Sequence, residues 1–179
     1  MKKVLFLLGQ LRDIDVEWMI ANGSRRQVRT GEVLIQEGKP IDALFLVLDG
    51  ALEVTGTGVG TGSVSLGCGE VVGEISFVDS RPPVATVKAE TDSVVLAIPR
   101  EDLANRLEND IEFAARFYRS LAIFLAHRLR NTGKRLRYGK EQPLEQDKDY
   151  EDELSIEVLD SLSKAGRQFD RVLQRLLTG

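Results

Sequence analysis

One cysteine, one histidine, one tryptophan and five prolines in 179 residues set limits before any motif is considered. Cys68 cannot close an internal disulfide, and His127 alone cannot build a zinc cluster or supply several catalytic bases. No apolar run approaches the roughly 20 residues that a membrane-spanning helix needs. Lys2 and Lys3 followed by Val4-Leu5-Phe6-Leu7-Leu8 imitate the start of a signal peptide. The run is shorter than the about 7–15 apolar residues of a secretory core and meets Gly9-Gln10-Leu11-Arg12 instead of a small-residue cleavage site. It is expected to pack inside a cytoplasmic protein. A net charge of −4 argues against a whole-molecule nucleic-acid binder, because phosphate contacts require a basic surface. What remains, 42% apolar and 29% charged residues, is the composition of one globular domain with room for an appendage.

Along the chain the hydrophobic period changes twice. Asp13 reads as a cap for a short helix to Asn22, with Ile14, Trp18 and Met19 apolar and Gly23 as its stop. Seven short strand-like runs follow: Arg25–Thr30, Val33–Gln36, Ala43–Leu48, Ala51–Thr55, Val64–Leu66, Val84–Ala89 and Val94–Ile98. So many strands in so short a stretch mean a barrel or sandwich built from hairpins. Pro99 then opens a helix at Arg100. A longer helix runs from about Asp110 to Tyr138, with Phe113, Phe117, Leu121, Phe124 and Leu129 recurring every three or four residues. The polar stretch Gly139–Tyr150 reads as a linker, and Leu154 to Leu177 returns to helical spacing.

Charge is uneven along these helices. Residues 113–140 hold eight Lys/Arg and no acid, whereas residues 141–160 hold nine Asp/Glu and one lysine. A basic helix can serve as a nucleic-acid or acidic-lipid face, but the compensating acids follow directly in sequence, which favours pairing within the chain or with a second copy.

Eight of sixteen glycines lie between Gly50 and Gly73. Gly56-Thr57-Gly58-Val59-Gly60-Thr61-Gly62 lacks the G-x-G-x-x-G spacing of a dinucleotide loop, and no helix follows it, so it reads as a hairpin tip. Cys68 and His127 are not placed to act as nucleophile and base; a structural thiol and a solvated histidine are expected. A cupin-type metal enzyme fails for want of histidines. The informative stretch is Gly73-Glu74-Ile75-Ser76, running on to Arg81-Pro82-Pro83-Val84-Ala85-Thr86-Val87. A glycine followed by a short turn aims free N–H groups at one spot, which is how a small loop holds an anion.

Gly31-Glu32-Val33-Leu34-Ile35-Gln36-Glu37-Gly38, Asp42-Ala43-Leu44-Phe45-Leu46-Val47-Leu48-Asp49-Gly50, Gly73-Glu74-Ile75-Ser76 and Ala85-Thr86-Val87-Lys88-Ala89 together resemble the cyclic-nucleotide-binding domain family. That family includes the catabolite activator protein and the regulatory subunits of cyclic-AMP-dependent kinase. The resemblance runs from about Leu5 to Leu125. It implies a mainly β fold, an eight-stranded β-roll of jelly-roll topology with flanking helices and long C-terminal helices. The domain would cover residues 1–125, with a long helix at 110–138, a linker at 139–150 and an amphipathic helix at 151–179. The resemblance further implies that Gly73, Glu74, Ile75, Ser76, Val84, Ala85 and Thr86 form a phosphate-binding cassette. Glu74 would take the ribose 2′-hydroxyl, and the amides of Ile75, Ser76, Val84 and Ala85 the cyclic phosphate. In that family the long helix caps the base and often dimerises, which would make Phe117, Tyr118 and Leu121 the candidates for the cap here.

One departure stands inside the cassette. The family pattern Pro-Arg-x-Ala-Thr reads Pro82-Pro83-Val84-Ala85-Thr86 here, so Pro83 replaces the arginine that pairs with the phosphate. Losing a hydrogen bond to a charged group weakens binding by roughly tenfold to a few hundredfold. Arg81 is the remaining candidate for that charge. After the long helix, residues 140–179 hold an acidic lead-in and one amphipathic helix, which is not a DNA-reading arrangement. The expected function is therefore a non-enzymatic regulatory sensor for cyclic AMP or cyclic GMP, without cofactor, metal, DNA or membrane span. A homodimer through the C-terminal helices is expected, with an effector protein as a further partner. The alternative is a degenerate β-roll that binds no nucleotide and serves as an oligomerisation or interaction module.

Overall fold

The computed structural model describes residues 8–56, 62–138 and 156–177. Helix α1 (Asp13–Asn22) leads into β1 (Ser24–Val28), β2 (Val33–Ile35), β3 (Ala43–Asp49), β4 (Ala51–Thr55), β5 (Val64–Gly67) and β6 (Val71–Val72). A short helix α2 (Glu74–Asp79) precedes β7 (Thr86–Ala89) and β8 (Ser93–Pro99). Helices α3 (Arg100–Asn109), α4 (Ile111–Tyr138) and α5 (Ile156–Leu177) complete the chain.

The strands form two four-stranded antiparallel sheets, ordered β1-β8-β3-β6 and β2-β7-β4-β5. This is the eight-stranded roll expected from the sequence. β3 explains how two cores share one sheet. Its alternate residues Phe45 and Val47 point into the roll, where they meet Leu34, Ile35, Leu52, Leu66, Val87 and Ala89 of the other sheet. Leu44, Leu46 and Leu48 point the opposite way into a second core with the helices. A strand buried on both faces reads as a continuous apolar run, as Ala43-Leu44-Phe45-Leu46-Val47-Leu48 does. On the helical side Phe113, Phe117 and Leu121 of α4 and Leu103 and Leu107 of α3 close over Leu96, Ile98 and Val71.

Three sequence expectations are corrected. The eighth strand, β6, has only two residues, too few for a period to declare itself between Gly69 and Gly73. The seventh strand begins at Thr86 rather than Val84, because Pro82 and Pro83 hold the preceding chain out of the ladder. The N-cap of α1 is Arg12, not Asp13; the Arg12 backbone N–H donates to Asp15 Oδ2 at 2.8 Å. Ile14 consequently faces solvent, and the buried side of α1 is Asp15, Val16 and Met19.

Asp15 can be buried because it is neutralised. Arg116 of α4 donates from Nε to Oδ2 at 2.8 Å and from Nη2 to Oδ1 at 2.9 Å, a bidentate pair. Arg106 Nη2 lies 3.7 Å from Oδ1, its guanidinium over the adjoining rings of Trp18 and Phe113 at 5.0 and 4.8 Å from their centroids. Burial alone raises the carboxyl pKa, but the Arg116 and Arg12 hydrogen bonds and the two guanidinium charges outweigh it and hold Asp15 below the usual carboxylate range.

The apolar stripe of α5 lies on its own chain, with Ala165, Phe169 and Val172 buried beside Leu8, Leu11, Val16 and Met19. The tip at 57–61 and the linker expected at Gly139–Tyr150 lie outside the described residues, as do Met1–Leu7. Gly56 and Gly62 flank that tip between the paired strands β4 and β5. No described helix is long and apolar enough to cross a membrane.

Candidate ligand-binding cassette

Gly73 opens the cassette with φ +93°, a left-handed conformation that favours glycine. Space is tight as well: a Cβ here would lie 3.2 Å from the Ala43 carbonyl oxygen and 3.4 Å from Ile41 Cδ1. The chain therefore turns sharply off β6 against β3, and α2 starts at once. In a helix this short the first N–H groups have no intrahelical acceptor. The first internal bond is donated by Phe77 N–H to the Gly73 carbonyl at 3.0 Å, which leaves the Ile75 and Ser76 amides in the first turn of α2. Glu74 and Ser76 are buried, while Ile75 and Val78 face outward.

The far end of α2 is held by Arg100, the first residue of α3. Arg100 Nη1 donates to the Ser76 carbonyl at 2.9 Å and Nη2 to Ser80 Oγ at 3.3 Å, and the guanidinium sits 5.2 Å from the Phe77 ring centroid. A cation against the last carbonyls of a helix complements its dipole. Ser80 then reverses the chain with φ 56°. The Arg81 backbone N–H donates to Asp79 Oδ1 at 3.0 Å. The Arg81 side chain is exposed and its guanidinium makes no hydrogen bond or ion pair among the described residues.

The return strand is pinned to the segment before β3. Gly38 N–H donates to the Pro83 carbonyl at 2.8 Å, and Glu37 N–H donates to Thr86 Oγ1 at 3.1 Å. Gly56 lies flat on this return: a Cβ there would stand 2.9 Å from Ala85 Cα and 3.2 Å from the Val84 carbonyl. Val84 is exposed, Ala85 and Thr86 half-buried. Both ends of the cassette thus rest on one segment, residues 35–43, with Ile41 and Ala43 against Gly73 and Glu37 and Gly38 against Thr86 and Pro83. All eight residues expected from the sequence belong to this one feature. Those it did not single out are Arg100, visible only as a helix opener, and Gly56, visible only as a turn.

The cassette touches the long helix through one aromatic pair. Phe77 of α2 meets Phe117 of α4 edge-on, with centroids 5.9 Å apart. Phe117 is fully buried and Leu121 is 4% exposed, whereas Tyr118 is 48% exposed. Of the three candidates for capping a base, two are committed to the core and Tyr118 faces outward.

Residues 25–110 match the family model of the cyclic nucleotide-binding domain. The chain is 35% identical over 71 residues to the cAMP-dependent protein kinase regulatory subunit of Emericella nidulans, a match covering 40% of this chain and 17% of that protein. A cyclic nucleotide-binding domain from Methylobacillus flagellatus KT superposes with a TM-score of 0.66 at 21% identity, over 79% of this chain and 85% of the other, which concerns the fold. The N-terminal domain of a transcriptional regulator from Streptomyces coelicolor A3(2) is 30% identical, with a TM-score of 0.58, over 73% of this chain and 95% of that one. The four matched motifs, the double four-stranded roll and these relatives agree: the chain belongs to the cyclic nucleotide-binding domain family.

Proposed function

We propose that the chain is a non-enzymatic regulatory sensor that binds cyclic AMP or cyclic GMP at Gly73–Thr86 and answers by moving its C-terminal helices. The observation that carries this reading is the Phe77–Phe117 contact, which joins the cassette to the helix that would report occupancy. Glu74, at the start of α2, accepts from the ribose 2′-hydroxyl, and the amides of Ile75 and Ser76, with those of Val84 and Ala85 from the return, donate to the cyclic phosphate. Arg81 supplies the positive charge that Pro83 cannot. Tyr118, the exposed aromatic on α4, is the residue of choice to close over the base. Binding that displaces Phe77 shifts α4 by mass action, and the shift is as large as the ligand's differential affinity for the two positions. A second copy, if it pairs through these helices, does so through α4, because the buried stripe of α5 is engaged with α1.

Pro83 also favours a second reading, a roll that has lost its ligand and kept only its interaction surfaces. Thermal unfolding and titration calorimetry with cyclic AMP and cyclic GMP separate the two. A ligand present at about 100 times its dissociation constant adds about 2.7 kcal/mol of stability and raises the melting point. No shift with either nucleotide at millimolar concentration overturns the sensor reading in favour of the second.

A further inference from the structure

Helix α1 carries acids on two sides. Asp15 points to α3 and α4, as described above. Asp13 and Glu17, one turn apart, point to α5. Gln168 Nε2 donates to Asp13 Oδ1 at 3.0 Å; Arg171 Nη1 lies 3.5 Å from Asp13 Oδ2 and 3.8 Å from Glu17 Oε1; Arg175 pairs with Glu17. Just before α1, the Leu11 carbonyl accepts from Lys164 Nζ at 2.9 Å and from Gln168 Nε2 at 3.2 Å. Beneath these polar contacts Phe169 and Val172 are buried beside Val16 and Met19.

α5 adds Ala165, Phe169 and Val172 to the helical core, but its charged contacts differ in kind from the Asp15–Arg116 pair. Its ion pairs are exposed, so each contributes little and is screened by salt. Its polar contacts converge on one short target, residues 11–17. That target is fastened to α4 by the buried Asp15–Arg116 pair, and α4 is in contact with the cassette through Phe117 and Phe77.

We propose that α5 is a releasable clasp on the acidic face of α1, and that its docking is coupled through Asp15–Arg116 and Phe117–Phe77 to the cassette. Coupling of this kind is reciprocal: whatever loosens the cassette loosens the clasp, and whatever removes the clasp loosens the cassette. The occupant of the α1 face is an amphipathic helix of this same chain that turns Lys164, Arg171 and Arg175 toward it, and its release would expose an apolar stripe flanked by arginines. The regulatory meaning of the device rests on the sensor reading, but the coupling itself does not require any nucleotide.

Hydrogen exchange of the full chain, without nucleotide, tests it. The double variant Arg171→Glu/Arg175→Glu replaces attraction to Asp13 and Glu17 by repulsion. Losing three exposed pairs at about twofold each predicts α5 amides exchanging about tenfold faster. The amides of α2 are expected to exchange several-fold faster in the same sample. Adding Glu17→Lys restores an opposite charge beside both altered positions and should return both regions toward the parent. The parent chain at low and high salt gives the same comparison without mutation: salt should speed exchange in α5 and α2 together. Unchanged α5 exchange in the double variant overturns the clasp. Faster α5 exchange with α2 unmoved, or failure of Glu17→Lys to rescue, overturns the coupling. A chain that passes this test yet binds neither cyclic AMP nor cyclic GMP overturns the sensor reading alone.

Discussion

Phe77 stands edge-on to Phe117, with ring centroids 5.9 Å apart and planes at 75°. It is an aromatic contact between a six-residue helix and a 28-residue one, and it makes the cassette and α4 neighbours in packing as well as in topology. A T-shaped pair of this kind contributes about 0.5–1.5 kcal/mol beyond the area it buries. A double-mutant cycle with Phe77→Leu and Phe117→Leu should therefore give a coupling energy in that range. Phe117→Ala alone should cost about 3–5 kcal/mol in denaturant unfolding, since it leaves a cavity in the helical core. Additive single effects would mean that the rings touch without communicating.

Gly73 combines a left-handed φ with a crowded Cβ position, whereas Gly31 has a similar φ of +84° and nothing near its Cβ position. Substituting each by alanine separates the two penalties. Gly31→Ala bears only the conformational cost, about 1–2 kcal/mol. Gly73→Ala adds the contact with the Ala43 carbonyl and should be the more destabilising in denaturant melts. Equal losses at the two sites would remove close approach from the account of the cassette.

The buried pair Asp15–Arg116 gives stability a definite pH dependence. Asp15 has a lower pKa in the folded chain than when unfolded, so the unfolded chain binds the proton more readily. Its contribution is complete above the ordinary aspartate value of about 3.9 and is lost as pH falls through the depressed folded value. Asp15→Asn should lower stability at neutral pH by about 3–5 kcal/mol, because Arg116 and Arg106 lose their buried counter-charge. Below about pH 4 the gap between variant and parent should narrow. Melting curves from neutral to acid pH that run parallel for the two proteins would refute this assignment.

Much of this was legible from the residues, and the misses share a physical origin. β3 and α4 declared themselves because their burial follows a simple period, continuous for a strand covered on both sides and three-to-four for a helix against a sheet. Glycine and proline mark where the backbone turns between Gly73 and Thr86, but only the resemblance of four separate motifs to a known family makes that stretch a candidate cassette. β6 was not, since two residues carry no period. The buried side of α1 was misread because Asp15 looks like a surface residue until Arg116, about a hundred positions later, folds onto it. Arg100 escaped for the same reason: a helix-opening arginine and a cation against the end of α2 are the same residue, and only the fold joins them. Long-range charge pairing leaves no local pattern.

On the sensor reading, Pro83 and Arg81 decide how strongly the cassette holds the cyclic phosphate. Pro83 contributes its carbonyl to Gly38 N–H at 2.8 Å, a bond any residue can accept, so Pro83→Arg should fold while restoring a guanidinium two residues closer to Ala85. An added hydrogen bond to a charged phosphate is worth about 1.5–3 kcal/mol, which predicts cyclic-nucleotide affinity rising roughly tenfold to a few hundredfold by calorimetry. Arg81→Ala tests the substitute in the parent chain. Because the Arg81 side chain has no hydrogen bond or ion pair among the described residues, its truncation should leave the stability of the free protein within about 0.5 kcal/mol of the parent while reducing nucleotide affinity. If Arg81→Ala binds as the parent does, the phosphate is held by the Ile75, Ser76, Val84 and Ala85 amides alone, and Pro83→Arg should then give the full gain; if Arg81 already supplies the charge, the gain on Pro83→Arg should be smaller than in an Arg81→Ala background. The comparison of those two gains assigns the charge at this site to one residue.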